Sequence, residues 1–512
     1  MKFFKKILSF VFSRAFLIGL GFILEIILFI AIVNYFSDQF VWVFALHYVL
    51  SIITTIFIIN KDLLPEYKIS WLLPVFFIPV YGCIFFFLFS ENRIMRKVRK
   101  SMNAVSIRLK ESQTSHEEIL ESLDPSTTAY HQSRYLTEYG HSPIYENSVT
   151  TFYPTGEDYF KDLVEELKKA ERFIFLEFFI IERGYMWDTI LEILRDKVKK
   201  GVDVRIIYDD FGCLTKLPRN YEKKLSSYGI KVHVFNPILL FVMPKHNNRD
   251  HRKIVVIDGY VGFTGGINLA DEYINKVKRF GTWKDSAVRL TGEAVYSLTT
   301  MFLSLWSHYE ESTEPFESFL PSALSVPVQH QGYVQPFNDS PLDSEAVCET
   351  VYLNAINAAK KYVYITTPYL ILSRELENAL CNVAKAGIDV RIITPHIPDK
   401  KIVFMVTRSY YKRLIHAGVQ IYEYTPGFIH AKNLVIDDEF AVVGTINMDF
   451  RSMYLHFECG VWMYESPAVK DIYDDFINTL EVSRETTKED IDNIPFFKGM
   501  FISVMQLFAP FM

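Results

Sequence analysis

Two histidines, His251 and His430, each head the same spaced set of polar residues. Counting from the histidine, each copy has Lys two residues on (Lys253, Lys432), Asp at seven (Asp258, Asp437), Gly at fourteen (Gly265, Gly444) and Asn at seventeen (Asn268, Asn447). An imidazole can act as nucleophile or proton carrier near neutral pH, a lysine supplies a fixed cation, and a carboxamide can donate to an oxyanion. A single His-x-Lys is an ordinary feature of a surface strand. Two copies that agree at four offsets instead imply two half-sites that meet in one centre.

The surrounding chain repeats as well, so whole units position these residues. Gly201-Val-Asp-Val-Arg-Ile-Ile returns as Gly387-Ile-Asp-Val-Arg-Ile-Ile, and Phe173-Ile-Phe-Leu as Tyr362-Val-Tyr-Ile. Gly229 to Pro237 likewise matches Gly418 to Pro426, and ten extra residues lie between Pro237 and the first-copy His. Spacing predicts a helix over Glu157 to Ala170, a buried strand over Phe173 to Ile181, a helix over Trp187 to Lys200 and a strand over Val202 to Tyr208. Such alternation means α/β units on mixed sheets flanked by helices. The runs Ile254 to Ile257 and Leu434 to Ile436 read as strands, so His and Lys two apart share a face.

Composition adds a membrane. Hydrophobic residues make up 50% of the 512, above the soluble average. The excess gathers in Ala15 to Phe36, Phe40 to Ile59 and Trp71 to Phe89, each about long enough to cross ~30 Å of hydrocarbon. A cleaved signal peptide fits poorly, because the first run is too long and no small-residue site follows it. Glu25 in mid-run leaves two or three transmembrane helices open. The expected organisation is a membrane anchor over 1–100, a linker over 101–134, α/β units over 135–325 and 326–490, and an apolar C-terminal segment over 491–512. That last segment suits an interfacial helix or a lid, with docking on the protein's own surface as the alternative. A net charge of −6 disfavours duplex nucleic acid as an obligate partner. Cys83, Cys213, Cys348, Cys381 and Cys459 show no CxxC pairing and point to a reducing, cytosol-facing domain.

These motifs resemble those of the phospholipase D superfamily, whose two HKD motifs come from homologous halves. Asn248 to Gly259, Trp283 to Arg289, Thr367-Pro-Tyr369, Gly427 to Lys432, Asn447 to Ser452 and the hairpin-like Trp71 to Pro79 further resemble the bacterial cardiolipin synthases. The resemblance covers roughly residues 60 to 512. It implies a phosphatidyltransferase in the bacterial cytoplasmic membrane, multi-pass, with its catalytic part on the cytoplasmic side. It also implies phosphatidylglycerol and cardiolipin as lipid partners, no cofactor or metal, and His251 as the nucleophile.

The side chains suit that chemistry. Transfer at a phosphodiester needs a nucleophile, an acid for the departing alkoxide, and positive or N–H charge on the non-bridging oxygens. One imidazole attacks while the other handles protons. Lys253, Lys432, Asn268 and Asn447 would hold the phosphoryl group, and Thr445 would either join them or cap a turn. Asp258 and Asp437 complete the catalytic motif with a mainly structural part. Each His also needs a carboxylate on its other ring nitrogen. Glu458 lies 28 residues after His430; aligning Asp285-Ser-Ala-Val with Glu458-Cys-Gly-Val nominates Asp285 for the first copy, after a six-residue insertion. Arg249, Arg252 and Arg451 are either phosphate clamps or structural ions. His47 reads as a helix-packing residue, while His233, His246, His308, His396, His416 and His456 have no partner pattern and read as structural or exposed. A hydrolase, lipid-directed or a nuclease, is the alternative reaction. A non-enzymatic scaffold is disfavoured by complete His, Lys and Asn sets in both copies.

Overall fold

The computed structural model describes residues 27, 31, 40–61, 63–89, 117–237, 248–310, 314–321, 331–343, 345–492 and 495–511. The apolar run at Ala15 to Phe36 (Ile27 and Ala31 excepted), residues 101–116 of the expected linker, and most of the insertion before His251 lie outside the described residues. The chain divides into two units, 1–92 and 93–512.

In the first unit, α1 (Phe40–Asn60), α2 (Pro65–Phe77) and α3 (Pro79–Phe89) pack around Ile58, Val75, Cys83 and Phe86. The run Trp71 to Phe89, expected as one long helix, is broken. Pro79 has no N–H to continue the ladder, Ile78 leaves the helix at φ −137°, and α3 folds back on α2. A Cβ on Gly82 would lie 2.2 Å from the Pro74 carbonyl oxygen, so glycine permits this approach. Among the described residues no helix is long and apolar enough to cross a membrane. The helix α1 itself runs for 21 residues. Its outer face is nevertheless apolar: Leu46, Ile53 and Ile56 are each more than half exposed.

The second unit contains the duplication. The first half contributes β1 (Ser148–Tyr153), β2 (Phe173–Phe178), β3 (Asp203–Asp209), β4 (Lys231–Phe235), β5 (Arg249–Asp250), β6 (Ile254–Ile257), β7 (Val261–Gly265), β8 (Thr282–Lys284) and β9 (Ala287–Gly292). The second half contributes β10 (Tyr333–Asp339), β11 (Tyr362–Thr366), β12 (Leu370–Ile371), β13 (Asp389–Pro395), β14 (Gln420–Tyr424), β15 (Gly427–Ile429), β16 (Asn433–Ile436), β17 (Phe440–Gly444), β18 (Met448–Asp449), β19 (His456–Tyr464) and β20 (Ser483–Glu485). The sheet orders are β1-β9-β7-β6-β2-β3-β4 and β10-β19-β17-β16-β11-β13-β14-β20. Apart from β20, they correspond strand for strand. In both sheets β2–β3–β4 and β11–β13–β14 are parallel and the other pairs antiparallel, so the sheets are mixed.

Helices cover the sheets in layers. On one outer side lie α4 (Gly156–Lys169) and α5 (Tyr185–Lys199), with Leu163, Leu167, Ile190 and Leu194 buried against the first sheet. Between the sheets, α6 (Val295–Tyr309) and α7 (Pro467–Glu481) share one core through Leu298, Phe302, Ile472 and Phe476. The helix Thr128–Glu138 sits astride the expected linker boundary and belongs to the second half: Leu136 joins a separate core there with Phe337, Val351 and Leu376, and Gln335 donates to Ser133 and Ser142 carbonyls. All five cysteines are buried and free.

Asp258 and Asp437 explain the aspartate at offset seven. Each opens a tight turn in a left-handed conformation, φ 55° and 58°, where Asp is tolerated better than most residues. Asp258 accepts the backbone N–H groups of Glu171, Arg172 and Phe173 at 2.8–2.9 Å. Asp437 accepts those of Lys360, Lys361 and Tyr362. Both thus pin the start of the neighbouring central strand. Five residues past the lysine, roughly 16 Å along extended chain, neither belongs among the groups around the histidines, which corrects their place in the catalytic set. Asp258→Ala is expected to cost about 2–4 kcal/mol, from three lost charge-assisted bonds. Thermal denaturation should register that loss, with activity per folded molecule largely retained.

Candidate active site

The two histidines reach their positions through strand pairs that cross between the halves. β5 lies parallel to the start of β19, with Asp250 opposite Phe457, and β15 lies parallel to β8, with Ile429 opposite Lys284. The ladder continues one step: His251 N donates to Phe457 O at 3.0 Å, and His430 N to Lys284 O at 2.7 Å. The next residue on each partner strand is a carboxylate. Glu458 Oε1 lies 2.8 Å from His251 Nδ1, and Asp285 Oδ2 lies 2.7 Å from His430 Nδ1.

Each carboxylate therefore serves the histidine of the other half. Reading Glu458 with His430 and Asp285 with His251, as spacing within each copy suggested, is corrected by this exchange. The alignment identified the two acids, but their partners depend on pairing between strands that lie 207 and 145 residues apart in the chain. Within each half, Gly444 and Gly265 let the strand after the motif lie close against the strand that carries the acid: a Cβ there would lie 2.4 Å from Cys459 O and 2.5 Å from Ser286 O.

Burial sets the charge states. Both histidines are 7% exposed. Burial pushes His251 down to about 3 despite Glu458, and His430 down to about 4, with Lys432 adding to the effect and Asp285 opposing it. Burial alone would raise both acids, yet His251 beside Glu458 holds that carboxyl far below the usual carboxylate range, and His430 with Lys432 lowers Asp285. Each pair is thus a neutral imidazole giving Nδ1–H to an ionised carboxylate, which leaves Nε2 with a lone pair for phosphorus or a proton.

The lysines complete a cationic floor. Lys253 is pushed down to about 8 and Lys432 to about 7, in both cases first by burial. Lys253 donates to the His251 carbonyl, and Lys432 to the His430 carbonyl while lying 2.9 Å from His430 Nδ1. Lys253 also interacts electrostatically with Asp285 and His430, so the half-sites share one field. A bound phosphodiester anion would offset these cations and raise both imidazoles.

Other expected residues are placed unevenly. Asn268 uses its carbonyl to accept from Ile180 N and its amide to donate to Tyr273 OH. Asn447 Oδ1 is buried and, among the described residues, has no hydrogen-bond partner. Thr445, expected at the phosphate, instead donates its hydroxyl to Glu458 and accepts Cys459 N at 3.0 Å; this corrects its role to holding the acid. The corresponding Gly266 leaves room for the shorter acid, since a Cβ there would be 2.0 Å from Asp285 Oδ1. Arg252 is fully buried against Glu177 (2.7 Å) and Asp250, Arg249 pairs with Asp209, and Arg451 donates to Phe511 O. These arginines are structural ions.

Two residues near Glu458 escaped the sequence reading. Ser452 donates to Glu458 Oε1 at 2.7 Å, and the His456 ring lies 5.5 Å from that of His251. Their signal was proximity in sequence to Glu458, invisible until that acid was paired with His251. Among the described residues, His251, His456 and Glu458 form the group spaced to hold a metal ion. Glu458 there already accepts from His251, Ser452 and Thr445, so the cluster is a hydrogen-bonded one.

Comparison with known proteins names this arrangement. Residues 163–306 and 352–480 match the family described as cardiolipin synthase, phospholipase D-like domain, and residues 49–91 match the phospholipase D-nuclease N-terminal family. The cardiolipin synthase of Alkalihalophilus pseudofirmus is 35% identical over 87% of this chain and 89% of its own. The chain belongs to the cardiolipin synthase family. The cardiolipin synthase of Halalkalibacterium halodurans is 34% identical over 92% of this chain and 94% of its own. An uncharacterized protein of Streptococcus mutans is 44% identical over 89% and 99%. The fold matches the crystal structure of the phosphatidylserine synthase of Haemophilus influenzae, with a TM-score of 0.56, 14% identity, and coverage of 74% of this chain and 97% of that one. As a cardiolipin synthase, the chain is a phosphatidyltransferase acting on phospholipids, and its relatives suggest association with membranes.

Proposed function

We propose that this cardiolipin synthase joins two phosphatidylglycerol molecules through a phosphohistidine on His251. The observation that carries this reading is the crossed pairing of two neutral imidazoles with ionised carboxylates of opposite halves. His251 Nε2 attacks phosphorus and a P–N bond forms as the P–O bond to glycerol breaks. His430, protonated once the bound phosphodiester anion has raised it, gives its proton to the departing glycerol oxygen, then takes one from the incoming phosphatidylglycerol hydroxyl. That oxygen displaces His251 and releases cardiolipin. Acid–base help of this kind contributes about 10²–10⁴ in rate. Lys253, Lys432, Asn268 and Asn447 hold the phosphoryl oxygens; Glu458 and Asp285 orient the rings. No nucleic acid enters this scheme.

The test is purified protein with phosphatidylglycerol in mixed micelles, resolving cardiolipin, glycerol and phosphatidic acid. Equal amounts of cardiolipin and glycerol are expected. Phosphatidic acid without cardiolipin would show a hydrolase instead.

The same reading puts the chain in the bacterial cytoplasmic membrane as a multi-pass protein, anchored by its first hundred residues with the catalytic part on the cytoplasmic side. The C-terminal helix α8 (Phe496–Gln506) supports a second contact with lipid. Its inner side is tied down by Ile502 and by Gln506 donating to Ser409. Outward, Phe496 and Phe497 are 78% and 77% exposed, with Met500 and Phe501 beside them. Such a stripe fits the headgroup boundary of a bilayer. Phe496→Ser with Phe501→Ser should raise, several-fold, the surface fraction of phosphatidylglycerol needed for half-maximal rate. The maximal rate should stay near that of the parent; an unchanged surface dependence would remove the helix from lipid contact.

A further inference from the structure

Trp283 and His456 hold equivalent places in the two halves, each two residues before the carboxylate that serves the opposite histidine. Their rings lie alike: Trp283 is 5.4 Å from His430 at 47°, and His456 is 5.5 Å from His251 at 44°. One half thus closes its site with an indole, the other with an imidazole. His456 is 9% exposed, and among the described residues neither ring nitrogen has a partner at hydrogen-bond distance. Leaving such an atom buried and unpaired is unfavourable, because it has lost water without gaining a partner. The acceptor nearby is Glu458, whose Oε1 lies 3.7 Å from His456 Nδ1. Less than ~1 Å of ring motion would bring the pair to hydrogen-bond distance.

The surroundings differ between the halves in the same sense. Glu458 is held by His251, Ser452 and Thr445, whereas Asp285 is held by His430 and the Ser286 amide, with Lys432 crowding the same imidazole. His456 also lines a cleft with Asp339, Asp343, Glu345 and Tyr454. The charged and titratable groups around His456 are therefore Glu458, Asp449, those three acids, Tyr454 and His251, with Lys253 acting on His251.

We infer that His456 is a positioning residue of the His251 half-site, donating Nδ1–H to Glu458 during turnover and sharing that carboxylate with His251. The inference deepens the proposed function and rests on its assignment of His251 as the attacking ring. A carboxylate with one donor fewer is the stronger base and holds its remaining partner's proton to higher pH. Removing His456 therefore makes His251 neutral only at higher pH, and the acid limb of kcat/KM moves upward.

The experiment compares pH profiles of cardiolipin formation for the parent, His456→Phe, His456→Asn and Trp283→Phe in the full chain. His456→Phe should shift the acid limb up by about half a pH unit or more and lower the plateau kcat about fivefold to tenfold. His456→Asn, which keeps a donor, should recover most of both, and Trp283→Phe should leave the limb in place. An acid limb for His456→Phe that coincides with the parent's overturns the inference, whatever happens to the rate. Phosphate found on His430 would instead overturn the nucleophile assignment, and the inference would then require the shift on the alkaline limb.

Discussion

His251→Asn and His430→Asn should each lower cardiolipin formation by about 10³-fold or more, the scale seen when one member of a catalytic unit is removed. They should fail differently. His430→Asn keeps the attacking ring and its Glu458 anchor, so acid-quenched samples should still hold phosphoenzyme, formed slowly because the glycerol leaves without a proton donor. His251→Asn should hold none. Denaturing gels after incubation with phosphate-labelled phosphatidylglycerol check this directly. Label trapped in His251→Asn alone would exchange the roles of the rings; near-parental activity in either variant would break the two-half-site arrangement.

The crossed acids give the second large effect. Glu458→Gln and Asp285→Asn keep the shape of each carboxylate but remove the charge that fixes the Nδ1–H tautomer, and a loss of about 10²–10⁴ in kcat is expected. Their phosphoenzyme patterns should follow the structure and not the motif. Glu458→Gln, altered in the second half, should resemble His251→Asn and trap nothing, because Glu458 lies 2.8 Å from His251. Asp285→Asn, altered in the first half, should resemble His430→Asn and retain the label. Pairing within halves demands the opposite outcome. Both acids are fully buried, so circular dichroism should first establish that the variants fold.

Much of this architecture was legible in the chain. Repeated offsets from His251 and His430 gave the half-sites, and alternating apolar periodicity gave α/β units whose elements fall close to expectation: β6 at Ile254–Ile257 and α4 at Gly156–Lys169. Those features are local, since the 3.6- and 2-residue periods and the turn preference of Asp are properties of short segments. The family followed from residue types at fixed spacing for the same reason. The break at Pro79 was passed over in reading Trp71 to Phe89 as one run, although its cause is local too, because a missing N–H acts on its own turn.

Contacts over distance were not marked. Glu458 and His251 are 207 residues apart and meet because β5 pairs with β19 in one register. Thr445 could be read as a phosphate ligand until that strand placed Glu458 against its hydroxyl. Arg252, a candidate clamp by charge, became a buried ion once Glu177 on β2 lay beside it. The sequence by itself determined which side chains are available, that they come in two sets, and the fold that carries each set. Tertiary structure decided which acid serves which base and how far burial drives both rings toward their neutral form. Those properties depend on packing between strands remote in the chain, and on the loss of water that packing imposes.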